Sequence, residues 1–89
     1  LSYSVDITPE AENSIKKLDR RTQIEIKEWI DKHLEGCEDP RRTGKALSGP
    51  EKGKWRYRVG DHRLIAKIYD GHLLILIVGA GHRKNVYLR

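Results

Sequence analysis

The sequence predicts one α+β domain spanning residues 1–89, built from a strand, a helical hairpin and a three-stranded antiparallel meander. Three observations lead there. The spacing of apolar residues runs at period two, then at the helical period, then at period two again. A length of 89 residues allows one hydrophobic core but not two. With 37% hydrophobic and 35% charged residues and three prolines, the chain has the apolar content of a packed globule rather than of a disordered segment.

Tyr3, Val5 and Ile7 alternate with Ser4 and Asp6, the pattern of a half-buried strand. Thr8 then supplies an N-cap and Pro9 a first helical residue, with Glu10 and Glu12 in the first turn, so a helix starts here. Ala11, Ile15 and Leu18 fall on its inner face. Asp19 caps a second helix that runs to about Glu35, where Gly36 stops it. Its inward stripe is Thr22, Ile26, Trp29, Ile30, His33 and Leu34, which predicts that His33 is a packed core histidine. From Gly36 to Gly53 the turn pairs Asp39-Pro40, Thr43-Gly44, Gly49-Pro50 and Lys52-Gly53 predict a basic surface loop with one short turn around Lys45 to Leu47.

Three strands follow, at 54–59, 62–69 and 72–78, joined by the two-residue connections Gly60-Asp61 and Asp70-Gly71. Such tight turns set a register in which 58 faces 63, 56 faces 65 and 54 faces 67, while 63 faces 78 and 65 faces 76. One face then carries Trp55, Tyr57, Leu64, Ala66, Ile68, Leu73, Ile75 and Ile77, suited to covering by two amphipathic helices. The other mixes Lys54, Arg56, Arg58, Arg63 and Lys67 with Ile65, Leu74, Leu76 and Val78. Like charges in facing positions destabilise a sheet by roughly 0.2–1 kcal/mol each, so the pairs Arg58/Arg63 and Lys54/Lys67 require a reason. Two remain open: cations that guard a sheet edge against aggregation, and an anion site whose repulsion is relieved when phosphate arrives.

Charge is segregated along the chain as well as across the sheet. Residues 1–40 hold 6 basic and 10 acidic side chains, residues 41–89 hold 12 and 3. Such asymmetry points to a polyanion or an acidic protein as partner. A lone Cys37 permits no internal disulfide, and the longest apolar run, Leu73 to Val78, is about a third of the ~20 residues that cross a bilayer. The expected place is therefore the cytoplasm, with no membrane partner; the chain opens on Leu1 and contains no methionine, which leaves its true start open. His33, His62, His72 and His82 include no i, i+4 pair, so neither a metal site nor another cofactor is expected. Cys37 has no base near it in sequence and makes an improbable nucleophile.

The segment Gly79-Ala80-Gly81-His82-Arg83-Lys84-Asn85-Val86-Tyr87 gathers glycines, an imidazole, cations and a phenol. A dinucleotide fingerprint fails here, because Lys84 stands at the third glycine and too few residues remain for a helix. Two readings stay open: a short final strand or tail, and a set of groups able to move protons and stabilise a phosphate dianion.

The order of elements, the stretch from Trp55 to Ile65 with its RVGDHRLI turn, and the ending GHRKNVY together resemble the RelE/ParE superfamily of bacterial and archaeal toxins over nearly the whole chain. The resemblance implies one four-stranded, mostly antiparallel sheet packed on two helices. The RelE branch, which the ending resembles most, comprises endonucleases that cut messenger RNA in the ribosomal A site and are silenced by a cognate antitoxin; ParE relatives act on DNA gyrase. On that likeness the partners are an antitoxin wrapped around the basic face and helical hairpin, the ribosome with its messenger, and operator DNA through the antitoxin complex. The reaction implied is metal-free attack by the substrate's own 2′-hydroxyl on the adjacent phosphorus. Arg63 and Arg83 match the arginines that stabilise charge and assist the leaving group, and Tyr87 matches the tyrosine that orients the attacking hydroxyl. Arg56 and Arg58 stand where RelE has lysines, and arginine stays protonated where a lysine could serve as base. His82 is therefore the substitute candidate for acid or base. Lys45, Lys54, Arg56 and Arg58 would hold the RNA backbone. A noncatalytic RNA-binding module stacking bases on Trp55 or Tyr57 is a third reading, weakened because both fall on the predicted core face.

Overall fold

The computed structural model describes residues 1–82. Its elements are β1 (Ser4–Ile7), α1 (Pro9–Lys16), α2 (Arg20–His33), β2 (Lys45–Ala46), β3 (Trp55–Val59), β4 (His62–Tyr69) and β5 (Leu74–His82), with 3-10 turns at Gly49–Glu51 and Asp70–His72. Both helices start where their caps predict: the Thr8 hydroxyl accepts the Ala11 N–H at 3.1 Å and the Asp19 carboxylate accepts the Thr22 N–H at 3.3 Å. The fold class is the expected α+β, and the strand count differs by one. Among the described residues five strands lie in the order β1-β5-β4-β3-β2, with β1 parallel to β5 and every other pairing antiparallel. The extra strand is Lys45–Ala46, in the segment expected to hold only a turn. Gly44 (φ +86°) lets the loop run onto the β3 edge: a Cβ there would lie 2.3 Å from the Arg56 carbonyl oxygen. The indole of Trp55 holds the same loop, donating to the Thr43 carbonyl at 2.8 Å.

The Gly60-Asp61 hairpin sets β3 against β4 as predicted, with Arg58 opposite Arg63 and Arg56 opposite Ile65. The ladder starts at Trp55 opposite Ala66, so Lys54 lies just before β3 and the expected pairing with Lys67 falls just beyond the paired residues. The second hairpin departs further. Asp70 to Leu73 form a longer connection with Leu73 left-handed (φ 49°), so Tyr69 faces Leu74, and an irregularity between Ile65 and Ala66 shifts the pairing again. Arg63 consequently faces Gly81 instead of residue 78, and Ile65 faces Gly79 instead of residue 76. The extended pairing also draws Gly79 to His82 into β5, which settles that part of the supposed tail as strand.

This turn is held from outside. Asp70 accepts both guanidinium N–H groups of Arg41 at 3.0 and 3.1 Å and the Tyr3 hydroxyl at 2.6 Å, while the Leu73 carbonyl accepts from Ser4. The Arg41 fork, then the Tyr3 hydroxyl, hold the Asp70 carboxyl below its ordinary value of 3.8. A depressed carboxyl contributes stability that is present above its unfolded pKa and lost as pH falls through the folded one. Melting temperature followed against pH should therefore drop below about pH 4 in the native chain. Asp70→Asn, already weaker at neutral pH, should show a shallower acid limb, and parallel curves would remove Asp70 from the account.

The two helices pack on one side of the sheet, α1 against β5 and α2 against β3. The core joins Ala11, Ile15, Ile26, Ile30 and Leu34 to Tyr57, Val59, Leu64, Ala66, Ile75 and Ile77, all at most 4% exposed. The predicted apolar face is thus the core face. His33 is the exception to the predicted stripe, being exposed, with its ring 4.8 Å from that of Trp29 and tilted 38° to it. The buried line of α2 is Ile26, Ile30 and Leu34, four residues apart, and positions 29 and 33 lie about 100° round the helix from it, at the margin.

Candidate anion-binding face

The face turned away from the helices collects cations from three strands. Register places Lys45 of β2 opposite Arg56 of β3, and Arg58 of β3 opposite Arg63 of β4. Two like-charged pairs therefore stand side by side on the same surface. Arg63 is 9% exposed, and among the described residues its Nε and Nη1 find no hydrogen-bond acceptor, nor does the buried Nε of Arg56. Among the described residues no carboxylate pairs with Arg56, Arg58 or Arg63. Burying an ionised group without a partner is expensive, so the arrangement is one that an anion would stabilise.

Glycines stand opposite this part of β4. Gly81 faces Arg63 and Gly79 faces Ile65, so β5 presents backbone rather than side chains beside the guanidinium. Next to them lies a small cleft of about 130 Å³ lined by Ile65, Val78 and Gly79, by the pair Lys54 and Glu51, and by Glu10 and Ser14 of α1. Lys54 is the weakest of the expected RNA contacts, because its ammonium is held by Glu51 at 2.9 Å.

Of the predicted site residues, the structure brings together Lys45, Arg56, Arg58 and Arg63. It does not bring His82 to them. His82 faces His62 in register, with ring centroids 5.6 Å apart and the rings edge-on, on the side of the sheet opposite Arg63. Arg83 and Tyr87 lie outside the described residues. Three features escaped the sequence reading: the burial of Arg63, the Lys45–Arg56 pairing and the strand that creates it. The only sequence signal for the last was the Thr43-Gly44 step, which looks the same in any loop.

The sequence as a whole matches a known family. Residues 5–87 match the family model described as the ParE toxin of type II toxin–antitoxin systems, parDE. The chain belongs to the RelE/ParE toxin superfamily. Toxin RelG of Mycobacterium tuberculosis is 30% identical to this toxin over 89 residues, the full length of both. Among solved structures, the toxin–antitoxin complex RelBE2 of the same organism contains a chain 29% identical, with a TM-score of 0.84 over 96% of this chain and 95% of that one. An archaeal RelE–RelB complex from Pyrococcus horikoshii OT3 shares the fold at 22% identity, with a TM-score of 0.71 over 97% of this toxin and 100% of that chain. The chain is thus a toxin of a type II toxin–antitoxin pair.

Proposed function

We propose that this toxin is a metal-independent endoribonuclease that cuts messenger RNA in the ribosomal A site and so stops translation, and that a cognate antitoxin silences it. The observation that supports the reading most is Arg63 beside Arg58, its buried Nε and Nη1 without an acceptor among the described residues. A phosphodiester held there gains two forks of charge-assisted hydrogen bonds. In the step proposed, the 2′-oxygen forms a bond to phosphorus, the bond from phosphorus to the 5′-oxygen breaks, and a cyclic phosphate and a 5′-hydroxyl result. The 2′-hydroxyl loses its proton and the leaving 5′-oxygen gains one. Arg63, with Arg83 of the carboxyl-terminal segment, neutralises the phosphorane as its second negative charge develops. Tyr87 orients the 2′-hydroxyl, while Lys45, Arg56 and Arg58 hold the flanking phosphates. His82, on the other face, is not placed for direct transfer to a phosphate at Arg63. Positioning of the messenger by the ribosome would supply much of the remaining rate, since effective molarities reach about 10⁵–10⁸ M in well-oriented systems.

The relation to RelBE2, solved as a toxin with its antitoxin, supports a protein partner for this toxin too. The aliphatic patch of Leu74, Leu76 and Val78 beside the cations suits an amphipathic acidic segment that would cover both. A second reading, an inhibitor of DNA gyrase without nuclease activity, is favoured by the family model itself, which is that of ParE. Inducing the toxin without antitoxin and mapping the 5′ ends of cellular RNA, beside a supercoiling assay with purified gyrase, separates the two. New 5′ ends within translated messengers and unimpaired gyrase are the expected results. Intact messengers with trapped gyrase–DNA complexes would replace the nuclease with the gyrase inhibitor.

A further inference from the structure

A second, larger cleft of about 410 Å³ opens at the edge of the sheet, between α2 and the β2–β3 pair. Trp29 and His33 line it from the helix, Thr43 and Gly44 from the loop, and Lys45, Arg56 and Arg58 from the strands. Its aromatic side is the outer end of a column of three rings, successive ones tilted by 52° and 38° rather than stacked face to face. Tyr57 is fully buried, Trp29 lies 5.6 Å from it and is half-buried, and His33 lies 4.8 Å from Trp29 and is exposed. The column thus rises from the core and ends in a ring whose outer side meets solvent. Its cationic side includes the buried Nε of Arg56, which has no acceptor.

A solvated charged face would need neither the ring column nor a guanidinium with a buried, unpaired Nε. An aromatic platform beside fixed cations has the chemistry of a single-stranded nucleotide site, in which the base stacks and the phosphate is gripped. We propose that this edge cleft binds one nucleotide of single-stranded RNA, its base stacked on His33 as the next ring of the Tyr57–Trp29–His33 column and its phosphate on Arg56, Arg58 and Lys45. The inference rests on the reading of the toxin as RNA-binding and adds to it a position: the nucleotide lies at the sheet edge, beside the one whose phosphate sits at Arg63. Arg56 and Arg58 belong to both surfaces, so the chain of phosphates can pass from the face to the edge without a break. His33 acts here as a positioning residue rather than a catalytic one.

The test is binding of a short labelled oligoadenylate to the purified toxin, measured by fluorescence anisotropy beside the same strand carrying abasic sites. His33 is exposed, so its replacement should leave the fold intact. His33→Ala should weaken binding of the base-bearing strand about 5- to 100-fold, the range for losing one base–aromatic stack, and leave the abasic strand unaffected. His33→Phe, which keeps a ring and removes the imidazole, should restore native binding. Equal binding by His33→Ala and the native toxin would overturn the site, as would equal losses for both strands or failure of phenylalanine to restore. Loss of antitoxin affinity in His33→Ala with RNA affinity unchanged would reassign the cleft to the protein partner and overturn it too. Messenger cleavage in cells is scored separately. Cleavage without His33-dependent binding sinks the cleft and leaves the nuclease standing; His33-dependent binding without cleavage does the reverse.

Discussion

Arg63→Gln is expected to lower messenger cleavage by about 10²–10³-fold, the usual loss when one fixed donor to a developing anion is removed. The same change should leave the melting temperature unchanged or slightly raised, and this combination is the signature of the site. Arg63 is buried, but its Nε and Nη1 hold no acceptor and it faces Arg58 across the β3–β4 ladder. Removing the charge abolishes a like-charged facing pair that costs roughly 0.2–1 kcal/mol. A residue retained for structure would behave in the opposite way, with stability falling and activity following it. Arg58→Gln is the companion measurement: it relieves the same repulsion, and because Arg58 is exposed and its proposed role is to hold flanking phosphate, it should weaken RNA binding more than it slows the chemical step. Its loss should also flatten the dependence of RNA affinity on salt, to which each neutralised single-strand phosphate contributes a slope of about −0.7. Cleavage within a factor of two or so of native in a folded Arg63→Gln toxin would move the reacting phosphate away from this face.

Tyr57→Ala carries the largest stability loss expected in the molecule, about 3–5 kcal/mol, against a total of about 5–15 kcal/mol for a domain of ordinary stability. Tyr57 is fully buried, its ring lies against Trp29, and its hydroxyl donates to the Pro40 carbonyl at 2.5 Å. One side chain thus ties β3 to α2 and to the loop after it. Burial pushes the phenol pKa well above its ordinary value of 10, so the group stays a donor throughout the physiological range. Tyr57→Phe separates the two contributions: it keeps the ring and orphans the Pro40 carbonyl, for about 1–3 kcal/mol. Denaturant midpoints of the three proteins should fall in the order native, phenylalanine, alanine. If phenylalanine matched the native protein, the loop would be held by Trp55 and Thr43 and by Arg41 and Asp70 rather than by this bond.

The same residue marks how far sequence reaches. Tyr57 falls on the predicted core face by simple alternation, and alternation needs no partner: Trp55, Tyr57, Leu64 and Ala66 come out on one side because successive side chains of a strand point opposite ways. The caps Thr8 and Asp19 and the Gly60-Asp61 hairpin were equally legible, since each is decided by groups a few residues apart. The cationic face and its Arg58/Arg63 pair followed from those local rules, and so did most of the candidate site. The second hairpin did not. Asp70-Gly71 reads as a tight turn, but Arg41 and Tyr3, remote in sequence, seize the Asp70 carboxylate and hold a longer connection, and that displacement together with the irregularity between Ile65 and Ala66 puts Gly81 rather than Val78 beside Arg63. His33 reads as core from its spacing, yet it lies about 100° round α2 from the line of Ile26, Ile30 and Leu34, and only the docking of the helix on the sheet decides which line is buried. Lys45–Ala46 becomes a strand only because an edge is there to pair with. Local periodicity therefore determined which residues share a face, whereas only the tertiary structure decided which of them stand without a partner, because an unmet donor such as Arg63 Nε is defined by everything around it and not by its neighbours in the chain.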